Sequence, residues 1–255
     1  MEIVLIVFFW LLGIAIGSFL NVCIDRLPAG KSLVSPPSAC DVCGRRLSWL
    51  DLFPVFSYLF LGGKCRYCRA HIPLRVFWVE LGTGILFAFL IWYYGLKPEL
   101  AVSLFYGCIL IVLAVIDLEQ KLILNKIVYP TAIIAIIINI FLPDLGLKNF
   151  LFGLLGGAIG FVILLIPALI YSKGMGWGDV KMAGLIGFMV GYPRIFVAVL
   201  GSVILGGLVA VFLLVTRKKG RKEGIPFGPF LALAAMVALV WGQPILNWYL
   251  HFYRI

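Results

Sequence analysis

Long, uninterrupted apolar runs constrain the fold of this chain more than any other feature. Eight of them lie near residues 3–22, 75–95, 99–117, 125–142, 149–171, 180–192, 195–215 and 226–250. A run of about 20 apolar residues can cross the hydrocarbon core of a bilayer as a helix. In lipid only helices and closed barrels satisfy every backbone hydrogen bond, and these runs do not alternate in polarity. The sequence therefore predicts an all-α polytopic membrane protein with about eight transmembrane helices, the sixth of them short.

Composition and charge agree with a membrane protein. Charged residues make up 13% of the chain and hydrophobic residues 63%, whereas a soluble domain carries roughly 25% charged residues. The first run has no basic segment before it and is followed by others, so it is predicted to be a membrane span rather than a cleaved signal peptide.

The net charge of +10 is distributed unevenly between the two sides of the predicted membrane. The loops near 23–74, 118–124, 172–179 and 216–225, with their flanks, carry 17 lysines and arginines, against 4 on the other side. The positive-inside rule places the rich side in the cytoplasm and the N-terminus outside. The basic excess is therefore a topology signal, and no nucleic-acid partner is expected.

One loop, from about residue 23 to 74, is long enough to fold by itself. It contains the pairs Cys40/Cys43 and Cys65/Cys68, separated by 21 residues. Two CxxC pairs are the pattern of a tetrahedral four-thiolate zinc site. Disulfides are the alternative, but they rarely persist in the reducing cytosol. Four protein ligands leave no open position for water, so the predicted zinc is structural rather than catalytic.

Two aspartates lie at the cytoplasmic ends of predicted spans. Asp117 ends the third apolar run, and Asp179 follows a glycine-rich stretch immediately before the sixth. Ionisable residues at membrane level usually mark functional sites. Two carboxylates held close share one proton, so that one can activate water while the other donates to a carbonyl oxygen. The pair therefore predicts an aspartic protease, although each aspartate could instead cap a helix or mark a helix interface.

Glycines recur four residues apart in the second half of the chain, for example at 153 and 157, 156 and 160, and 187 and 191. This spacing lets helix backbones approach closely in lipid. We expect these glycines to form structural helix contacts.

In the order and combination of its motifs, the chain resembles the type 4 prepilin peptidases, bacterial membrane enzymes related in mechanism to the GxGD membrane proteases. The resemblance spans nearly the whole length. Its motifs are Gly17–Pro28, the two CxxC pairs, Asp51 with Ser57-Tyr58-Leu59, Val79-Glu80-Leu81, Ile116-Asp117, Gly174–Lys181 and Ile225–Phe230.

The resemblance implies more than the residues alone. It implies that Asp117 and Asp179 are the catalytic pair, that the substrates are prepilins and secretion pseudopilins, and that cleavage follows a glycine at the cytoplasmic face of the inner membrane. It also implies N-methylation of the exposed residue with S-adenosylmethionine. Asn21, Arg26 and Glu80 are candidates for the methyl-donor site, with packing or loop anchoring as the alternative for each. Residues 1–95 would form an N-terminal region with the zinc loop, and residues 96–255 a six-helix peptidase core.

One position departs from the family pattern. Many members carry an acidic residue a few positions after the first catalytic aspartate, where this chain reads Leu122-Ile-Leu-Asn125. Asn125 can still form hydrogen bonds but cannot titrate, so any acid role at this position is lost.

Two other functions would account for part of the sequence. A proton- or ion-coupled transporter could use Asp117 and Asp179, but transporters usually place such groups near the bilayer midplane between repeated halves. A non-catalytic membrane adaptor would account for the zinc loop but leaves the glycine-rich turn before Asp179 without a purpose.

Overall fold

The computed structural model describes residues 2–141, 146–170, 176–216 and 224–252, with only the backbone for 146–149. These ranges contain helices and no β-strand. The helices are α1 (Glu2–Arg26), α2 (Phe56–Phe60), α3 (Leu74–Tyr94), α4 (Pro98–Gln120), α5 (Asn125–Phe141), α6 (Gly146–Ile170), α7 (Trp177–Val190), α8 (Ile195–Val215) and α9 (Gly228–Phe252).

The eight long helices correspond one to one with the eight predicted runs. Six of them are long and apolar enough to cross a membrane, namely α1, α3, α4, α6 from Phe150, α8 and α9. The other two, α5 and α7, have 17 and 14 residues. The chain is therefore an all-helical, multi-pass membrane protein. Gly174 and Met175, and most of the predicted basic loops near 172–179 and 216–225, lie outside the described residues.

The helices fall into two compact units, residues 1–112 and 113–255, and the division lies within α4. The predicted separation of an N-terminal region, 1–95, from a peptidase core, 96–255, is a statement about function and stays a prediction.

In the first unit, α1 and α3 pack along each other because small residues meet at their interface. A Cβ at Gly13 would lie 2.8 Å from the Thr83 carbonyl oxygen, and one at Gly17 would lie 2.7 Å from the Cα of Glu80. Such contacts exclude any larger side chain. The end of the pair is held by an ion pair of 2.6 Å between Arg75 and Asp25. Since α1 continues through Arg26, the loop begins after that residue, later than the predicted 23, and Asp25 belongs to the helix pair.

In the second unit, α6 and α7 make an equally close contact. A Cβ on Gly156 would lie 2.5 Å from the Gly187 carbonyl oxygen, and one on Gly160 would lie 2.5 Å from that of Ala183. The expectation that the spaced glycines serve helix contacts is confirmed for these positions. This contact fixes α7, the helix that carries Asp179, against a long apolar helix.

Candidate active site and metal centre

Asp117 lies three residues before the C-terminal end of α4 and is buried, with 5% of its surface exposed. The helix ends just beyond it, where Lys121 adopts a positive φ of 54°. One Asp117 oxygen, Oδ2, accepts a hydrogen bond of 2.9 Å from the backbone N–H of Gly228 at the start of α9. The buried Asp117 carboxylate is thus held near the end of α4 by the first N–H of α9.

Asp179 lies in the first turn of α7 and is 9% exposed. Its backbone N–H donates to the Gly176 carbonyl oxygen at 3.1 Å, and a Cβ on Gly178 would lie 2.8 Å from Cβ of Ile123. Ile123 follows α4, so the absence of a side chain at Gly178 lets the start of α7 approach the segment after Asp117. Gly178 therefore lets the start of α7, which carries Asp179, lie close to the segment that follows Asp117.

The two carboxylates belong to the same unit, and the charge of Asp117 acts on Asp179. Two buried acids whose charges interact cannot both be ionised without an electrostatic cost. The geometry is therefore suited to shared-proton chemistry of the aspartic type.

Gly228 is a site residue that sequence reasoning did not identify. The motif Ile225–Phe230 contributed to the family resemblance, but nothing in it assigned a role to the glycine. A Cβ at residue 228 would lie 2.7 Å from Oδ2 and 3.0 Å from Cγ of Asp117. The sequence shows a glycine that precedes Pro229 and lies two residues after Pro226. This pattern indicates a turn and does not indicate a contact with Asp117.

Asn125, the position that departs from the family pattern, is the first residue of α5. Its Oδ1 accepts a hydrogen bond of 3.1 Å from Nζ of Lys181, two residues after Asp179. The same Nζ lies 5.8 Å from the ring centroid of Tyr129. In this chain a neutral amide therefore takes the place where an acid would form an ion pair with Lys181.

The predicted metal ligands lie on two turns with the same backbone path, residues 40–45 and 65–70, which we call the knuckles. In the first, the N–H of Cys40 donates to Arg45 O at 3.0 Å, and in the second the N–H of Cys65 donates to Ala70 O at 2.8 Å. The residue after each pair has a positive φ, 68° at Gly44 and 58° at Arg69. Both CxxC pairs thus follow the same backbone path, although only one has the glycine that favours it.

The four sulfurs converge as a metal site requires. The Sγ atoms of Cys40, Cys43, Cys65 and Cys68 all lie within 4.8 Å of one another, and those of Cys40 and Cys68 are 3.8 Å apart. Sulfurs that bind one zinc at about 2.3 Å in a tetrahedron lie about 3.8 Å apart. Hydrogen bonds from the backbone at Cys43 and Val42 lower the pKa of the Cys40 thiol to about 7, which favours the thiolate that a metal needs. This cluster could hold a metal ion.

Asp51 connects the chain between the two knuckles to the second knuckle. Its carboxylate accepts from Nε of Arg66 at 2.6 Å and from the Ser48 hydroxyl at 2.8 Å. Burial alone would raise the pKa of Asp51, but the bonds from Arg66 and Ser48 outweigh it and hold the pKa below its usual value. The stabilisation is therefore complete near neutral pH and is lost as the pH falls through the lowered pKa.

The three methyl-donor candidates lie in the first unit. Asn21 donates to the Val76 carbonyl oxygen at 3.0 Å, and its own Oδ1 is buried without a hydrogen-bond partner among the described residues. Arg26 donates to the carbonyl oxygens of Ser32 and Pro36 at 2.9 and 2.7 Å. Glu80, 4% exposed, accepts a hydrogen bond of 2.6 Å from the N–H of Val55. Arg26 and Glu80 thus each contact the loop.

Comparison with known proteins decides the family. The model of the bacterial peptidase A24 N-terminal domain matches residues 11–94, and that of the type IV leader peptidase family matches residues 104–211. A Pseudomonas aeruginosa protein named prepilin leader peptidase/N-methyltransferase is 33% identical, over 95% of this chain and 92% of its own length. The chain belongs to the type IV leader peptidase family.

Other members of the type IV leader peptidase family are similar over comparable lengths. A Bacillus subtilis protein of the same name is 32% identical over 94% of this chain and 96% of its own, and an Aeromonas hydrophila protein is 29% identical over 94% and 92%. No solved structure matches the chain. The similarity covers both units, and it gives no support to the transporter alternative.

Proposed function

We propose that this protein cleaves the leader peptide from type IV prepilins and methylates the N-terminal residue that cleavage exposes. The family model is described as that of a leader peptidase, and the relatives are named for both activities. The observation that supports the peptidase best is a pair of buried carboxylates, Asp117 and Asp179, that lie in one compact unit and interact electrostatically.

In this proposal Asp117 and Asp179 share one proton. The ionised carboxylate takes a proton from water, whose oxygen attacks the scissile carbonyl carbon, while the protonated carboxyl donates to the carbonyl oxygen. Collapse of the resulting diol returns a proton to the leaving amine and breaks the peptide bond. The Gly228 N–H fixes the Asp117 oxygen that it contacts, so that the other oxygen is free to face the reacting atoms.

The cysteine cluster is proposed to hold a structural zinc ion. Four thiolates complete its coordination, so the metal would fold the loop and take no part in either reaction. S-adenosylmethionine is the proposed methyl donor, and it would supply the methyl group for the new N-terminal amine. Of the three candidate residues, Asn21 fits a ligand-binding role best because its buried Oδ1 has no partner among the described residues.

The substrates are proposed to be prepilins of type IV pili and pseudopilins of type II secretion, each with a short basic leader before a hydrophobic helix. The protein would lie in the bacterial inner membrane with its N-terminus outside and the basic loops in the cytoplasm. Cleavage and methylation would both take place at that cytoplasmic side. Residues 96–255 would then carry the peptidase, and residues 1–95 the zinc loop and the methyl-donor site.

The proposal is tested by mass spectrometry of a prepilin peptide incubated with the purified protein and S-adenosylmethionine. We expect loss of the leader and a gain of one methyl group on the new N-terminus. Omitting S-adenosylmethionine should leave cleavage intact and remove the methyl group.

The peptidase and methyltransferase activities are tested independently by this experiment. An unmethylated, cleaved product in the presence of the methyl donor would overturn the methyltransferase half. An uncleaved peptide after incubation with folded, metal-loaded protein would overturn the peptidase half.

A further inference from the structure

The chain between the two knuckles is unusually apolar for a loop. From Leu52 to Gly63 it contains no charged residue. Phe53, Leu59 and Phe60 are exposed by 56%, 61% and 88%. An apolar run of about 10–14 residues is too short to span a bilayer but suits a re-entrant or interfacial segment. We call residues 52–63 the inter-knuckle segment.

The contacts of this segment place it alongside α1 and α3 rather than beyond their ends. The Val55 N–H bonds to Glu80, six residues into α3, which is about 9 Å from the helix start at a rise of 1.5 Å per residue. The Phe56 ring lies 6.4 Å from that of Trp10, and Trp10 itself lies against Gly84. Gly84 is about 15 Å into the helix by the same rise.

An ion pair marks the polar end of the pair formed by α1 and α3. Asp25, at the end of α1, and Arg75, at the start of α3, form an ion pair of 2.6 Å. Glu80 and Gly84, which mark the level of these contacts on α3, are therefore about 7 and 14 Å further along that helix than Arg75. The segment turns back to a level at which α1 and α3 are apolar.

Most backbone N–H groups of the segment have a hydrogen-bond partner in the protein. The N–H groups of Ser57, Leu59, Leu61 and Gly63 all donate to carbonyl oxygens within the segment. Non-helical backbone at membrane depth is tolerated only where its polar groups have partners in the protein. The N–H of Val55 has the carboxylate of Glu80 as its partner.

The turn at Val55 depends on that carboxylate. Val55 has φ 62° and ψ −53°, and the Phe56 N–H donates to the Pro54 carbonyl oxygen at 2.6 Å, which defines a γ-turn. This turn is rare and strained, above all for a β-branched residue. The Glu80 carboxylate stabilises this turn by binding the Val55 N–H, and it also forms a hydrogen bond with the Ser18 side chain.

We propose that the inter-knuckle segment is a re-entrant membrane anchor whose occupant is lipid. Its exposed phenylalanines and leucine would lie among acyl chains, continuous with the lipid-facing surface of α1. The knuckles on either side carry Arg45, Arg46, Lys64 and Arg69, which would lie at the level of anionic headgroups. Glu80 is the positioning residue that holds the segment at this depth. This proposal rests on the membrane location of the chain and not on its catalytic activity.

The depth of the segment is measured with a fluorescent non-natural amino acid in the full-length protein. The protein is reconstituted into vesicles of phosphatidylcholine and phosphatidylglycerol that contain lipids with a nitroxide on the acyl chain. The probe replaces Phe60 of the segment. Phe19, 53% exposed on α1 and seven residues before its end, is the matched position within the membrane, and Val34, 90% exposed in the same loop, is the matched position outside.

We expect the Phe60 probe to lose most of its emission, as the Phe19 probe does, while the Val34 probe keeps its emission. Equal emission from the Phe60 and Val34 probes would overturn the proposal. Quenching of the Phe60 probe only by an added prepilin carrying the nitroxide would also overturn it, since the occupant would then be a protein.

Glu80 is tested in the same vesicles. Glu80→Leu removes the acceptor for the Val55 N–H and should restore the emission of the Phe60 probe without changing that of the Phe19 probe. Glu80→Gln keeps an acceptor oxygen and should leave both probes quenched. A Phe60 probe that stays quenched in folded Glu80→Leu protein would remove Glu80 from the proposal.

Discussion

At the scale of single residues, Gly228 is coupled to Asp117 by a hydrogen bond and by the absence of a side chain. In Gly228→Ala the new Cβ would lie 2.7 Å from the Asp117 oxygen, so the carboxylate or the start of α9 must move. A displacement of about 1 Å at a catalytic group can lower a rate by about 100-fold. We therefore expect the kcat for prepilin cleavage to fall by about that factor.

Gly207→Ala is the matched control for this variant. Gly207 lies in a helix of the same unit, and a Cβ there would meet nothing within 4 Å. Its kcat should equal that of the native protein. A Gly228→Ala enzyme with native kcat would contradict the role given to this glycine.

Asn125 offers a second test at the residue scale. Asn125→Asp would convert its hydrogen bond with Lys181 into an ion pair. Because Asn125 is exposed, the gain in the free energy of unfolding should be no more than about 1 kcal/mol and should vanish at high salt. Thermal unfolding at low and high salt measures it. A salt-independent change of several degrees, or loss of cleavage, would show that the position does more than hold Lys181.

At the scale of elements, the contact between α6 and α7 positions Asp179. A Cβ on Gly187 would collide with the Gly156 backbone, so Gly187→Val should force the two helices apart. Overpacking of a close interface typically costs about 1–3 kcal/mol. We expect a lower melting temperature and loss of cleavage together. Gly207→Val, which meets no neighbour, should change neither, and a Gly187→Val protein that unfolds like the native one would contradict the contact.

The two knuckles form the second element that can be tested. Cys65→Ser removes one of the four proposed ligands and should release the proposed zinc, because binding of a structural metal and folding of its loop are coupled. Metal analysis of the purified protein and limited proteolysis of the loop measure both effects. Zinc content equal to that of the native protein would contradict the four-thiolate site.

At the scale of the whole molecule, the sequence was sufficient for the long helices and for the chemical groups, but not for the short helix α2. Continuous apolar runs predicted all eight long helices, and the CxxC spacing predicted the sulfur cluster. These features are local, since each depends on residues close together in the chain. The resemblance to the prepilin peptidases is confirmed by the family and its relatives.

Contacts between distant residues could not be predicted in the same way. Gly228 and Asp117 are 111 residues apart, and Val55 and Glu80 are 25 apart, and each pair is joined through a backbone N–H that any residue but proline provides. The residue type of the donor therefore did not indicate which N–H would bind each buried acid. The roles of Asp117, Asp179 and the methyl-donor candidates stay predictions.

In the proposed function Asp117 and Asp179 perform the cleavage, while the cysteine cluster stabilises the fold. The most direct measurement compares Asp117→Asn and Asp179→Asn with the native protein for prepilin cleavage, zinc content and thermal unfolding. We expect each variant to keep its metal content and its fold and to lose cleavage by several orders of magnitude. Cleavage at the native rate by either folded variant would contradict it.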